Sequence, residues 1–239
     1  MKSNKENLLG VLIEAGIGSR RKLAAAIMQG KVTVNGTIAT NLRHPVDSRK
    51  DTIAVNGKVI GIKQEQHVYL MLNKPEGVLS TVSDERGRKT VTDLIPEKYR
   101  DLRLYPAGRL DKDTKGLLLL TNDGEFTNRI THPRYENEKE YYIRIYGEVK
   151  VADIKKLEKG IEIDGSMTSP AVVKEIRDAP NYNYSITIHE GRKRQVRRMF
   201  LHLGYRPLAL KRVRIGNLTL GNLKEGEVRE LSRREVILP

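Results

Sequence analysis

Residues 116–124, GLLLLTNDG, set four consecutive leucines between a glycine and a turn. A strand with one wet face alternates apolar and polar residues, whereas an unbroken apolar run is expected of a strand buried on both faces. Such a strand belongs inside a sheet with packing layers above and below it. The 239 residues suffice for one large domain of that kind joined to a smaller one. Just ahead of the run, in YPAGRLDKDTK, Arg109 and Asp111 stand on a glycine-containing loop. Strand mouths are where a rigid scaffold presents chemistry, although an Arg–Asp pair taken alone does no more than brace a turn. TNDG reads as a turn whose Asp-Gly carries no chemistry of its own.

Around this strand the pattern is mixed. Val68, Leu70 and Leu72 alternate into Asn73-Lys74-Pro75, where proline ends ladder pairing. Further strand-like runs are EYYIRIYGEV, AVVKEI and YSITIHE, and helical spacing appears in VADIKKLEKG and again after Gly191. Strands outnumber helices without alternating with them regularly. The expected class is therefore α+β, with a mixed, mainly antiparallel sheet flanked by helices and loops. Tyr141 and Tyr142 point to opposite faces of their strand, so at most one lines any given cleft.

A smaller unit precedes this domain. In AGIGSRRKLAAAIMQGKVTVNGTI, Ser19 suits a helix N-cap and Gly30 a stop, with Leu23, Ala26 and Ile27 on one face between them. Asn35-Gly36 and Asn56-Gly57 each sit between short alternating strands, as tight hairpins require. The reading is two or three helices on a small bent sheet over residues 1–61, a polar linker at 62–67, and the larger domain over 68–239.

The charge balance limits the partner. Lys and Arg number 44 against 30 acids, giving +14, which favours a polyanion, nucleic acid before membrane. No apolar stretch approaches the ~20 residues that span a bilayer. The start, MKSNKENLLG, lacks the apolar core of a secretory signal, so a cytoplasmic protein is expected. There is no cysteine, which excludes disulfides, thiolate sites and a cysteine nucleophile, and the five histidines form no ligand-spaced cluster, so no metal is expected. Phosphate-loop and dinucleotide fingerprints are missing too.

Two basic clusters stand out. Arg20, Arg21 and Lys22 occupy a helix start that ordinarily prefers acids, and Lys31 follows in the hairpin. In HEGRKRQVRRMFLHLGYRP, Val196, Met199, Phe200 and Leu203 mark one helix face, Arg194, Arg197 and Arg198 take the others, and Arg192 and Lys193 lie near the helix start. Arg206, Lys211, Arg212 and Arg214 follow, and Glu190 is the only acid between 189 and 214. A tract this long without compensating acids should repel itself unless an anion lies across it, which points to an RNA groove.

The segment AGIGSRRKLAAAIMQGKVTVNG resembles the alpha-L RNA-binding module named after the fourth small-subunit ribosomal protein. That resemblance assigns Arg20, Arg21, Lys22, Lys31 and Asn35 to RNA contact. LNKPEGVLST, GRLDKDTKGLLLLTNDG, EKEYYI and EGRKRQVRRMF resemble, in this order, the successive motifs of the RsuA/RluB-like family of ribosomal RNA pseudouridine synthases. HPRYENEKEY and EGRKRQVRRMF look more like its large-subunit type than its small-subunit type. The resemblance implies a cofactor-free isomerisation of uridine to pseudouridine in ribosomal RNA, 23S before small-subunit RNA, by a monomer. It makes Asp111 the essential carboxylate, Arg197 its charge partner and Tyr141 the ring that stacks on uracil. Arg109 would fill the space left by a flipped nucleotide, a step costing a few kcal/mol. Asn73, Lys74, Lys139, Arg192, Arg194 and Arg198 are expected to bind substrate. The rivals are a non-catalytic RNA-binding assembly factor, and a glycosidase in which Asp113 or Asp123 supplies the second carboxyl that such enzymes use.

Overall fold

The computed structural model describes residues 6–61 and 66–236, which form two compact units dividing between His67 and Val68. Residues 62–65 of the expected linker 62–67 lie outside the described residues. Among the described residues no helix is long and apolar enough to cross a membrane.

In the first unit, strand β1 (Glu6–Asn7) leads into helix α1 (Leu8–Glu14), capped by Asn7, whose Oδ1 accepts from Gly10 N at 2.7 Å. Helix α2 (Arg20–Met28) is capped by Ser19, whose Oγ accepts from Lys22 N at 3.2 Å. Strands β2 (Val32–Val34), β3 (Thr37–Ile38), β5 (Ile53–Val55) and β6 (Lys58–Val59) form a sheet in the order β3-β2-β5-β6, while β4 (Pro45–Val46) pairs with β1. Asn35 and Asn56 both take φ 51°, the left-handed conformation that an Asn-Gly hairpin turn demands. Leu8, Leu12, Ile27, Val32 and Ile53 are fully buried between helices and sheet.

The second unit is built on one sheet. Its strands are β7 (Tyr69–Lys74), β8 (Tyr105–Ala107), β9 (Lys115–Thr121), β10 (Lys139–Ile145), β13 (Val172–Glu175), β14 (Tyr184–Ile188), β15 (Pro207–Ile215), β16 (Leu218–Thr219) and β17 (Val228–Glu230). The order is β13-β14-β10-β15-β9-β7-β17, with β8 added to β9 and β16 to β15. The β15–β9 pair is parallel and the other pairs in this sheet are antiparallel, the mixed and mainly antiparallel arrangement expected. A separate hairpin joins β11 (Glu162–Ile163) to β12 (Ser166–Met167).

Both faces of β9 are covered. Leu118 and Leu120 enter a core with Ile143 of β10 and with Val196, Met199 and Phe200 of α5 (Gln195–His202). Leu117 and Leu119 enter another with Phe126 and Ile130 of α3 (Gly124–Thr131). The leucine run is thus a doubly buried strand. Helix α4 (Val151–Lys159) closes the first of these cores with Leu157.

Two segments differ from the sequence reading. TNDG is more than a turn: Asp123 Oδ1 accepts from Phe126 N at 2.9 Å to cap α3, and its Oδ2 accepts from Tyr69 Oη at 2.7 Å. The last part of the basic tract, 207–215, is an interior strand between β10 and β9. Its Lys and Arg residues interrupt the apolar alternation by which strands are recognised.

Candidate active site

The parallel contact between β9 and β15 depends on residue 116 having no side chain. Gly116 sits at φ +105°, and a Cβ there would lie 2.1 Å from the carbonyl oxygen of Arg212. This close approach carries Arg212 on β15 to the mouth of β9, beside the loop that bears Arg109 and Asp111.

That loop is held through its own backbone. Ser80 Oγ accepts from Leu110 N at 3.1 Å and donates to Leu110 O at 2.8 Å. Gly77 N donates to Lys112 O at 2.9 Å, and Thr114 N to Asp111 O at 3.1 Å. From beneath, Lys74 Nζ donates to Pro75 O at 2.8 Å and Thr114 O at 3.0 Å, and Arg197 Nη2 donates to Asp113 O at 2.7 Å. Each carbonyl from Leu110 to Thr114 therefore has a donor, two of them cationic. Such a loop has little freedom to shift its side chains.

Several expected substrate contacts are spent on this scaffold. Lys74 is completely buried, and Asn73, 2% exposed, donates from Nδ2 to Leu223 O at 2.7 Å, so neither faces a ligand. Burial pulls the Lys74 ammonium down to about 8, against the opposing attraction of Asp113, Glu76, Asp111 and Glu225. Arg197 is not the ion-pair partner of Asp111. Its Nε lies 3.5 Å from Asp113 Oδ2, so it meets the acid two residues further on. Arg194 grips the same carboxylate at 2.9 and 2.8 Å, and this hydrogen bonding is the main reason the Asp113 carboxyl lies below its ordinary range. Arg198 turns to Asp164, while Arg192 reaches Glu190 at 3.3 Å and Ser166 Oγ at 2.7 Å. Arg214 pairs with both Glu138 and Glu140 at 3.0 Å.

The compensating acids thus come from other parts of the chain. The inference that this tract must repel itself without RNA is corrected: sequence neighbours count charges along a line, and the fold brings Asp113, Asp164, Glu138 and Glu140 across to it. The second carboxyls considered for a glycosidase are occupied likewise, Asp113 by two arginines and Asp123 by a helix start and a tyrosine.

Beside the loop opens a cleft of about 870 Å³. It brings together Arg109, Asp111, Lys139, Tyr141, Arg192 and Arg194 from the expected set. Three carboxylates border it, those of Asp84, Asp111 and Glu190. Asp84 is bound by Arg88 at 2.6 and 3.1 Å, with its carboxyl drawn down to about 2 chiefly by that hydrogen bonding. Glu190 accepts from Ser169 N at 2.9 Å and also engages Arg192 and Gln195. Among the described residues, the Asp111 carboxylate alone of the three makes no hydrogen bond or ion pair. It is half-buried, close enough to attract Lys74 and Arg194 through space. Tyr141 is buried at 8% exposure with its ring on the cleft, whereas Tyr142 points to the other face, toward Tyr182 at 6.1 Å. Lys139 is held down at about 8, mainly by burial and further by the charge of Arg212. Arg109 is exposed at the rim.

One cleft residue escaped the sequence reading. Arg212 is only 3% exposed, lines the cleft, and lies with its guanidinium carbon 6.0 Å from the Tyr141 ring centre. It stood in the sequence as one basic residue among many. Its place opposite Tyr141 in the β10–β15 register sets it apart.

In the first unit, Arg20, Arg21, Lys22 and Lys31 are exposed. Asn35, expected on RNA, is engaged within the unit instead: Nδ2 donates to Asp51 Oδ1 at 2.8 Å and Oδ1 accepts from Thr52 N at 2.9 Å.

A lone unpartnered carboxylate that shares a cleft with a phenol ring and several arginines suits attack on or proton removal from a ligand carried by a polyanion. Comparison with known proteins gives this arrangement a family. The model for RNA pseudouridylate synthase matches residues 68–202, and that for the S4 domain matches residues 10–53. The chain belongs to the RNA pseudouridylate synthase family. It is similar to a Bacillus subtilis (strain 168) protein named ribosomal large subunit pseudouridine synthase B, 45% identical over 97% of this chain and 94% of that one. A Vibrio vulnificus (strain CMCP6) protein of the same name is 40% identical over 90% of this chain and 68% of its own. Among solved structures, one described as a pseudouridylate synthase superposes with TM-score 0.68 at 34% identity, covering 97% of this chain and 98% of its own. The synthase is an isomerase, and its α+β sheet with a leading S4 domain is the architecture of that relative.

Proposed function

We propose that this synthase converts a specific uridine of large-subunit ribosomal RNA to pseudouridine, with Asp111 as the reacting carboxylate. The observation that carries the assignment is the contrast among the cleft acids: Asp84 and Glu190 are committed to partners and Asp111 is not. In the reaction the bond from ribose C1′ to uracil N1 breaks, the base turns, and C1′ bonds to C5. The C5 proton leaves and N1 gains one, so neither oxidant nor reductant is needed. The Asp111 carboxylate serves either as nucleophile at the sugar or as base toward it. Lys74 and Arg197 fix the loop from behind through its carbonyls, and Arg194 does so through Asp113. Tyr141 offers a face on which the base stacks, and exposed Arg109 takes the place vacated by the flipped nucleotide.

Residues 1–61 act as the RNA grip, with Arg20, Arg21, Lys22 and Lys31 on phosphates, and residues 68–239 as the catalytic domain. The choice of large-subunit RNA rests on the names of the Bacillus and Vibrio relatives. A substrate of that kind suits a cytoplasmic monomer. Asp111→Asn, assayed by mapping pseudouridine in unmodified ribosomal RNA, should lose product while RNA affinity stays within about threefold of wild type. Product formation near the wild-type rate would remove Asp111 from the chemistry. RNA binding without product by the wild-type protein would leave an assembly factor.

A further inference from the structure

Arg212 is a buried cation on the cleft that no acid pairs among the described residues. Its Nε donates to Leu117 O at 2.8 Å, which locks the guanidinium to the backbone of β9. Its Nη2 is buried and makes no hydrogen bond among the described residues. A guanidinium carries five N–H donors, and leaving them unmet in a buried position is costly unless an acceptor arrives. The cleft it borders is the one that holds Asp111 and Tyr141. Resting on the proposed function, we infer that Arg212 is a further substrate-binding residue, donating to a carbonyl oxygen of the uracil held against Tyr141.

Depth selects the base over the phosphate. The exposed cations at the rim stay with the RNA outside, Lys193 toward its backbone and Arg109 toward the gap left by the flipped nucleotide, whereas Arg212 at 3% exposure meets only what enters furthest. A flipped nucleotide presents its base there. Uracil also suits a single fixed donor through the whole reaction. Turning the freed ring about the line through N3 and C6 exchanges N1 with C5, and exchanges the two carbonyls. A donor that meets one carbonyl before the turn therefore meets the other after it. Negative charge left on the detached base spreads onto these oxygens, so the same contact strengthens as the bond to ribose breaks. Cytosine carries an amino group in place of one carbonyl and would set donor against donor in one of the two orientations.

The test compares single-turnover rates of wild type, Arg212→Gln and Arg212→Lys. The RNA is a large-subunit fragment carrying uridine, 2-thiouridine or 4-thiouridine at the position the wild type modifies. Sulfur is a poor acceptor, so wild type should slow about tenfold on each thio substrate. Arg212→Gln should fall on the order of 10²-fold on uridine and show no further loss with sulfur, with Arg212→Lys between the two. Equal thio losses in wild type and variants, or a wild type indifferent to both sulfurs, would overturn the assignment. The wild-type arm needs no folded variant, and Arg212→Lys retains the buried charge should Arg212→Gln not fold. Turnover of plain uridine by wild type reports on the proposed function separately.

Discussion

Lys139 and Lys74 each carry an ammonium that burial pulls from 10.5 to about 8, and in Lys139 the adjacent Arg212 adds to the effect. In the unfolded chain both keep their protons to about 10.5. Between pH 8 and 10.5 the unfolded state therefore binds more protons, and stability rises with pH across that window. Below about 8 both states are protonated and the full cost of burying the charge is present. Lys139→Met removes one such group without touching the loop clamp. Chemical denaturation of wild type and this variant at pH 7.5 and 9.5 should show wild type gaining relative to the variant as pH rises. A constant difference would mean that Lys139 is not desolvated in the folded protein. Residues of this kind were only partly legible. Arg109, Asp111 and Tyr141 lie in contiguous motifs, and the cleft does gather them. Lys74 is buried rather than open to substrate, and its position at a strand end says nothing of the layer that covers it. Arg197 meets Asp113 rather than the expected Asp111 because the turn from 111 to 114 swings Asp113 over α5.

At the level of elements, the contact that assembles the site is the parallel crossing of β9 and β15. A side chain at 116 would collide with backbone, which cannot swing aside as a flexible side chain does, and φ +105° adds strain to any residue but glycine. Gly116→Ala is expected to destabilise by about 3 kcal/mol or more, lowering the melting temperature by roughly 6–12 °C, and to reduce pseudouridine formation by displacing Arg212. Gly87→Ala is the control. It too has positive φ (68°), but nothing lies within 4 Å of the added Cβ, so only the conformational cost of about 1–2 kcal/mol remains. Equal losses in the two variants would show that the crossing is loose. The elements themselves were largely visible in the sequence, since β9 and β10 announce themselves by their apolar pattern and α2 by Ser19. Strand β15 did not, because its charges are satisfied by partners remote in sequence, such as Glu138, Glu140 and Leu117 O.

For the whole molecule the +14 charge is unevenly available. In the catalytic unit Arg88, Arg192, Arg194, Arg197, Arg198 and Arg214 are paired with acids, so they attract phosphate less than their number implies. The exposed Arg20, Arg21 and Lys22 of the first unit sit at the start of α2 with no acid in that first turn. Each phosphate neutralised contributes about 0.7–0.9 to the slope of log affinity against log salt. Replacing all three with alanine should weaken RNA binding and lower the magnitude of that slope by about 2–3, measured by titration between 50 and 300 mM salt, roughly the range in which counterion release dominates. The rate at saturating RNA should stay near wild type, because Asp111 and Tyr141 are untouched. A fall in that rate with an unchanged slope would assign these side chains to placing the uridine rather than to holding the RNA. An unchanged slope with an unchanged rate would move the electrostatic grip to the cleft rim, where Arg109 and Lys193 are exposed.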